Sequence, residues 1–254
     1  MKIGIVGKGG AGKTTTSALL SEAFANEGRR VVAIDTDSNP NLGISLGYTL
    51  EETEAVPVLP RAVMVGPKGD VTADELIGEY GRSTPAGVTL LSAIRVSEAG
   101  GGCTCGGHAT VRSLLGDALE GHADVTLIDM EAGLEHLSRA GGTLAHADVL
   151  LVLMEPTHKG VLTASRTVPL AAELGIPFTY GLGNKAHLPA DREFFERMCE
   201  EQGVPLAGVL PYDEELLASE RAGERIAGDK AIAVREEIAR VVALLDQLVL
   251  APTG

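Results

Sequence analysis

Residues 7–15 read GKGGAGKTT, with four glycines, two lysines and two threonines in nine positions. Gly7, Gly9, Gly10 and Gly12 carry no side chain that would block an approaching anion, so this stretch can aim backbone N–H groups at a phosphate. With them, Ala11, Thr14 and Thr15 complete a phosphate-binding loop. Lys13 has the reach for β and γ phosphates, and the Thr14 hydroxyl suits Mg²⁺. A second unusual stretch, GGGCTCGGHA at 100–109, sets Cys103 and Cys105 one residue apart in glycine. In an extended segment such residues face the same side, so two thiolates can meet one soft ion such as Ni²⁺, Zn²⁺ or Cu⁺. A tetrahedral site wants about four ligands, and this loop offers half of them. Three aspartates also fall at promising places: Asp35 and Asp37 in IDTDSNPNL (34–42), and Asp129 in VTLIDMEAG (125–133).

These residues need elements to hold them. Short apolar runs at 2–7, 31–35, 88–93, 125–130, 149–154, 178–183 and 206–211 read as strands. Several are apolar at nearly every residue, as strands buried on both faces of a parallel sheet are. Helical patterns lie at roughly 13–27, 110–121, 159–174, 190–202 and 231–249. The alternation predicts an α/β, doubly wound, mostly parallel sheet with helices on both faces and ligands at the carboxyl ends of the strands. Residues 48–87, rich in proline, glycine and acidic side chains, break the rhythm and read as an excursion over the surface. With no internal repeat or linker, residues 1–254 are expected to form one domain.

The phosphate loop fits that frame, since it follows the first strand and precedes the first helix. That context and the Lys–Thr pair outweigh an ordinary βα turn. On the base side, GNKAH (183–187) has His187 where a guanine site of the NKxD kind wants aspartate. Asn184, next to Lys185, then suits adenine, with the backbone at Pro211 closing the pocket; a simple turn is the alternative for Asn184. For Asp35, Asp37 and Asp129 the alternative is a helix N-cap or a loop residue. The alternatives for Cys103 and Cys105 are two unrelated exposed thiols or a redox couple. His108 reads as the cap of the following helix or as a further ligand. Cys199, beside Phe195 and Met198 in a helical pattern, reads as a buried small residue.

The bulk composition excludes some classes. The net charge of −14 repels nucleic acid and anionic membranes, and no run of five or six Lys/Arg offsets it. Three cysteines are an odd count and too few for a disulfide framework in 254 residues. The N-terminus turns glycine-rich too early for a secretion signal, and no apolar run approaches the roughly 20 residues of a membrane span. A cytoplasmic protein without nucleic-acid or membrane partners is expected.

The extra lysine, Lys8, makes GKGGAGKTT resemble the deviant Walker A loop of the dimeric MinD/ParA-like ATPases. The resemblance implies a P-loop NTPase fold and Mg-dependent ATP hydrolysis. It implies that Lys8 crosses to the partner subunit's nucleotide; the alternative is that it strengthens the field around its own phosphates. It further implies that Asp37 orients the attacking water and that Asp129 holds Mg²⁺ through water. Asp35 would support either Mg²⁺ or the loop. If two chains pair about a two-fold axis, Cys103 and Cys105 from each complete a four-sulfur set.

The deviant loop, TDSNPNLG, DMEAGLEHL (129–137) and CTC together resemble the CooC family over essentially the full chain. That implies an ATP-dependent homodimer that binds Ni²⁺ or Zn²⁺ and helps insert nickel into a client metalloenzyme, carbon monoxide dehydrogenase. Two stretches depart from the wider group: Glu131 replaces glycine or proline in the second switch, and SRAGGT (138–143) replaces a tighter GRGT run. Two other classes compete. A positioning ATPase acting on membrane or nucleoid usually ends in a basic amphipathic helix, yet no basic residue follows Arg240 here. Iron–sulfur reductase relatives use cysteines widely separated in sequence, unlike CTC.

Overall fold

The computed structural model describes residues 1–61, 63–65, 69–95, 105–116, 119, 121–133, 137 and 143–250. Among them, eight strands form one sheet: β1 (Lys2–Gly7), β2 (Val31–Asp35), β3 (Arg82–Ser83), β4 (Thr89–Ser92), β5 (Val125–Asp129), β6 (Val149–Met154), β7 (Phe178–Ala186) and β8 (Leu206–Pro211). Their order across the sheet is β3-β4-β2-β5-β1-β6-β7-β8. Every pairing is parallel except that of the short edge strand β3 with β4.

The helices are α1 (Lys13–Asn26), α2 (Leu42–Ser45), α3 (Leu50–Glu54), α4 (Ala73–Tyr80), α5 (Cys105–Leu115), α6 (His158–Glu173), α7 (Pro189–Glu201), α8 (Glu214–Ala222) and α9 (Ile232–Leu250). Alternate strand residues feed two separate cores. Ile3, Ile5, Ala33 and Leu127 pack with Leu20 and Phe24 of α1 and Val241 and Leu245 of α9. Val6, Ile34, Ile128 and Val152 pack on the other face with Leu76 of α4, Leu114 of α5, Val161 of α6 and Phe195 of α7. Apolar residues at consecutive strand positions are therefore buried on opposite faces, which is the doubly wound arrangement expected.

The structure corrects the reading of 48–87 as a surface excursion. Thr49 and Thr72 open α3 and α4 with complete capping boxes to Glu52 and Glu75. Leu59 and Leu76 from this stretch are buried in the core. The proline and glycine content hid two T-x-x-E start signals. Helix α5 also begins earlier than expected, at Cys105, and ends at Leu115. Helix α8, capped by Asp213 and ended by left-handed Gly223, was not anticipated.

Candidate nucleotide-binding site

The GKGGAGKTT loop joins β1 to α1, at the carboxyl edge of the sheet. The turn closes through Ala11 N–H donating to the Lys8 carbonyl at 3.2 Å. Gly12 adopts φ +92° at the start of α1 and supplies no side-chain cap. The first-turn N–H groups of α1 therefore keep their capacity for an anion, and the helix dipole favours one there. Lys8, Gly9 and Gly10 are exposed, whereas Lys13 is buried and its Nζ donates to the Lys8 carbonyl at 3.3 Å.

Below the loop lie two buried carboxylates. Asp35 and Asp129 end adjacent parallel strands in direct register. Asp129 accepts from Ser17 Oγ at 3.1 Å, and the Thr14 hydroxyl also bonds it. Burial, then the charge of Asp35, raises the Asp129 pKa, against these hydroxyls and Lys13. Burial raises Asp35 as well, opposed by backbone N–H groups. Asp35 Oδ2 accepts from Leu42 N–H and Oδ1 from Asp37 N–H, each at 3.0 Å. Both Asp35 oxygens thus hold the 36–42 loop, while Asp129 faces Thr14. Two desolvated carboxylates side by side offer hard oxygen donors that suit Mg²⁺.

The two switch segments meet above this floor. Thr36 donates both its N–H and its hydroxyl to the Asp129 carbonyl, at 3.0 and 2.8 Å. Asp37 Oδ1 accepts from Asn39 N–H at 2.9 Å, forming an Asx turn. Ser38 Oγ donates to Glu131 Oε1 at 3.1 Å.

On the base side, β7 runs through GNKA rather than ending before it. An irregularity between Gly183 and Ala186 turns Asn184 toward the phosphate loop, and Lys185 there has φ +57°. Asn184 Nδ2 donates to the Ala11 carbonyl at 2.8 Å, and its Oδ1 accepts from Lys185 N–H at 2.8 Å. Lys185 Nζ bonds the Gly10 carbonyl and, at 3.2 Å, Glu155. Gly12, Thr15, Asn184, Lys185 and Pro211 line one open cleft, with Tyr212 and residues of α8 on its far side. The Thr15 hydroxyl donates to Glu220 of α8 across it.

The structure thus brings together Lys8, Lys13, Thr14, Asp35, Asp37 and Asp129 at one end of the site and Asn184, Lys185 and Pro211 at the other. Sequence reasoning missed Ser17, Thr36, Glu155 and Glu220. Ser17 follows Lys13 by one helical turn, a spacing that could have found it; Glu155 and Glu220 carry no local signal.

Cys105 is the first residue of α5, and Cys103 lies outside the described residues. His108 is not the helix cap: it lies inside the first turn of α5 and is buried. Cys199 is buried in α7, as expected, and burial pushes its thiol up to about 11. The SRAGGT departure lies outside the described residues apart from Thr143.

A glycine-rich loop, a buried lysine and a strand-end carboxylate pair on a parallel sheet define a P-loop nucleotide-binding protein. Residues 4–226 match the CobQ/CobB/MinD/ParA nucleotide binding domain, and the chain belongs to that family of ATPases. It is 36% identical over 237 residues to the carbon monoxide dehydrogenase accessory protein CooC of Rhodospirillum rubrum, covering 88% of each chain. An uncharacterized ATP-binding protein of Methanocaldococcus jannaschii is 35% identical over 240 residues, covering 89% of this chain and 91% of the relative. Among solved structures, the septum site-determining protein MinD from Pyrococcus horikoshii, complexed with Mg-ADP, superposes with a TM-score of 0.72 at 22% identity, covering 98% of this chain and 96% of that one. Among the described residues no helix is long and apolar enough to cross a membrane.

Proposed function

We propose that this chain is a metal-delivery ATPase that pairs with a second copy of itself and helps load nickel into a client metalloenzyme of the carbon monoxide dehydrogenase kind. The single observation that carries this reading is a nucleotide site with two linked switches on the same chain as Cys103 and Cys105, next to 36% identity with CooC. ATP lies along the loop, with its phosphates on the α1 N-terminus and its adenine in the Asn184–Pro211 cleft. Lys13 and Thr14 serve the chain's own phosphates, and exposed Lys8 serves the partner's. Thr14 and Asp129 hold Mg²⁺, which offsets charge on the β and γ phosphates. Asp35 keeps the 36–42 loop in place, and Asp37 orients the water that yields ADP and phosphate. Positioning and charge neutralisation do most of this work.

Ni²⁺ or Zn²⁺ is cargo rather than a resident cofactor. Cys103 and Cys105 give two soft sulfurs, and a second chain gives two more. Helix α9 argues against a membrane-positioning role, because Val234, Ile238, Val241 and Leu245 are buried against the sheet and α1.

The test is metal analysis with molar mass by light scattering, run with ADP, ATP and added nickel. One ion per dimer is expected, and its loss in the Cys103→Ala/Cys105→Ala double variant. A chain that stays monomeric throughout, or a double variant that keeps its ion, overturns the proposal.

A further inference from the structure

Glu131 is the one departure in the second switch that the nucleotide site leaves without a task. The geometry around it suggests one. The segment from Thr36 to Asn41 is an arch whose two feet are anchored on the strand ends. At the first foot, Thr36 is buried and doubly bonded to the Asp129 carbonyl. At both feet, the Asp35 carboxylate accepts a backbone N–H, from Asp37 on one side and Leu42 on the other. The crown of the arch carries Ser38, and its hydroxyl bonds the Glu131 carboxylate at 3.1 Å.

Asp37 stands between the welded foot and the crown. Its own carboxylate is turned by the bond from Asn39 N–H, also on the crown. A displacement of Ser38 and Asn39 therefore swings the Asp37 carboxylate, although Asp37 N–H stays on Asp35. Glycine or proline at 131 would have no side-chain acceptor for Ser38. The next residue, Ala132, faces the phosphate loop, where a Cβ on Gly9 would lie 3.8 Å from its own Cβ. Glu131 is thus fixed to a segment that abuts the phosphates while it holds the loop bearing Asp37.

From this we infer that Glu131, through Ser38, is a positioning residue for ATP hydrolysis: it aligns Asp37 with the attacking water. The inference rests on the role given to Asp37 above. A residue that acts through Ser38 rather than on the reacting atoms slows the chemical step when removed and leaves ATP binding in place.

The experiment measures single-turnover hydrolysis of Mg-ATP and fluorescent-ATP binding for the full-length chain. Glu131→Ala and Ser38→Ala are each expected to lower the hydrolysis rate about tenfold, the rate equivalent of one hydrogen bond, with affinity changed less than about twofold. The Ser38→Ala/Glu131→Ala pair is expected to be no slower than either alone, because both remove the same link. Glu131→Gln keeps an acceptor oxygen and is expected to recover most of the rate. Unchanged or faster hydrolysis in Glu131→Ala, additive losses in the pair, or failure of glutamine to rescue overturns the inference. Asp37→Asn is the separate control. If it hydrolyses ATP normally, the role of Asp37 itself is wrong; if it is slow while Glu131→Ala is not, only the role of Glu131 is.

Discussion

Replacing Gly12 with alanine places a Cβ inside the van der Waals surface of Asn184 Nδ2, at a backbone position with φ +92°. Two penalties follow. A left-handed backbone costs an L-residue about 1–2 kcal/mol. Pushing the Asn184 amide aside also breaks its 2.8 Å bond to the Ala11 carbonyl, worth about 1 kcal/mol. The lower entropy of the unfolded alanine chain returns about 0.5 kcal/mol. The expected loss is therefore about 2 kcal/mol, together with at least about tenfold weaker ATP binding, because the loop and the α1 N-terminus move together. Asn184→Ala removes the obstacle but leaves the backbone strain. In that background Gly12→Ala is expected to cost about 1 kcal/mol less, so the double-mutant cycle shows a coupling of about 1 kcal/mol. Urea unfolding of the four proteins measures it, and titration with a fluorescent ATP analogue follows the site. Additive effects within experimental error would refute the contact, and a Gly12→Ala protein as stable as the parent would refute the strain.

Two further outcomes follow from perturbed groups. The Arg30 guanidinium and backbone N–H hold Asp124 at about 2, below the ordinary carboxylate range. A depressed folded-state value means that this contact stabilises the fold above the unfolded pKa and is lost as pH falls toward 2. NMR titration of the carboxyl carbon should show this value, and Arg30→Gln should raise it toward the usual range; an ordinary value in the parent protein refutes the pairing. Burial pushes the Cys199 thiol up to about 11, so in the Cys103→Ala/Cys105→Ala background a disulfide exchange reagent at pH 8 should find no thiol until denaturant is added. Prompt native labelling would place Cys199 at the surface.

The sequence displays the parts of this molecule that obey local rules. All seven expected strands are present; in β1, β2, β5 and β6 apolar runs buried on both faces leave a continuous signature, whereas β7 and β8 are half-buried and more mixed. The phosphate loop was legible because its glycines, lysines and threonines act within one turn. Edge strand β3 was not, since Arg82–Ser83 is too short to show a period. Helices α3 and α4 were lost for a different reason: their starts are marked only by Thr49–Glu52 and Thr72–Glu75, and the proline and glycine around them carry the opposite signal. The aromatic contact of His187 with Tyr212, ring centroids 4.0 Å apart, joins residues whose neighbours in sequence say nothing of each other.

The carboxylate pair shows where motif reading stops. Asp35 and Asp129 each end an apolar strand, and each can be picked out singly as a candidate ligand. Nothing in either segment says that the strands are neighbours. The sheet order places β5 between β2 and β1, and the parallel register then sets the two aspartates side by side. Burial raises both pKa values, and the charge of Asp35 raises that of Asp129 further; these shifts exist only in the folded chain. Topology also divides their work. Asp35 lies at the foot of the 36–42 loop and has its oxygens filled by backbone N–H groups, whereas Asp129 lies beneath α1 and meets Thr14 and Ser17. Residue type alone gives the two aspartates the same role, and the order of the strands separates the loop support from the carboxylate that faces Thr14 and Ser17.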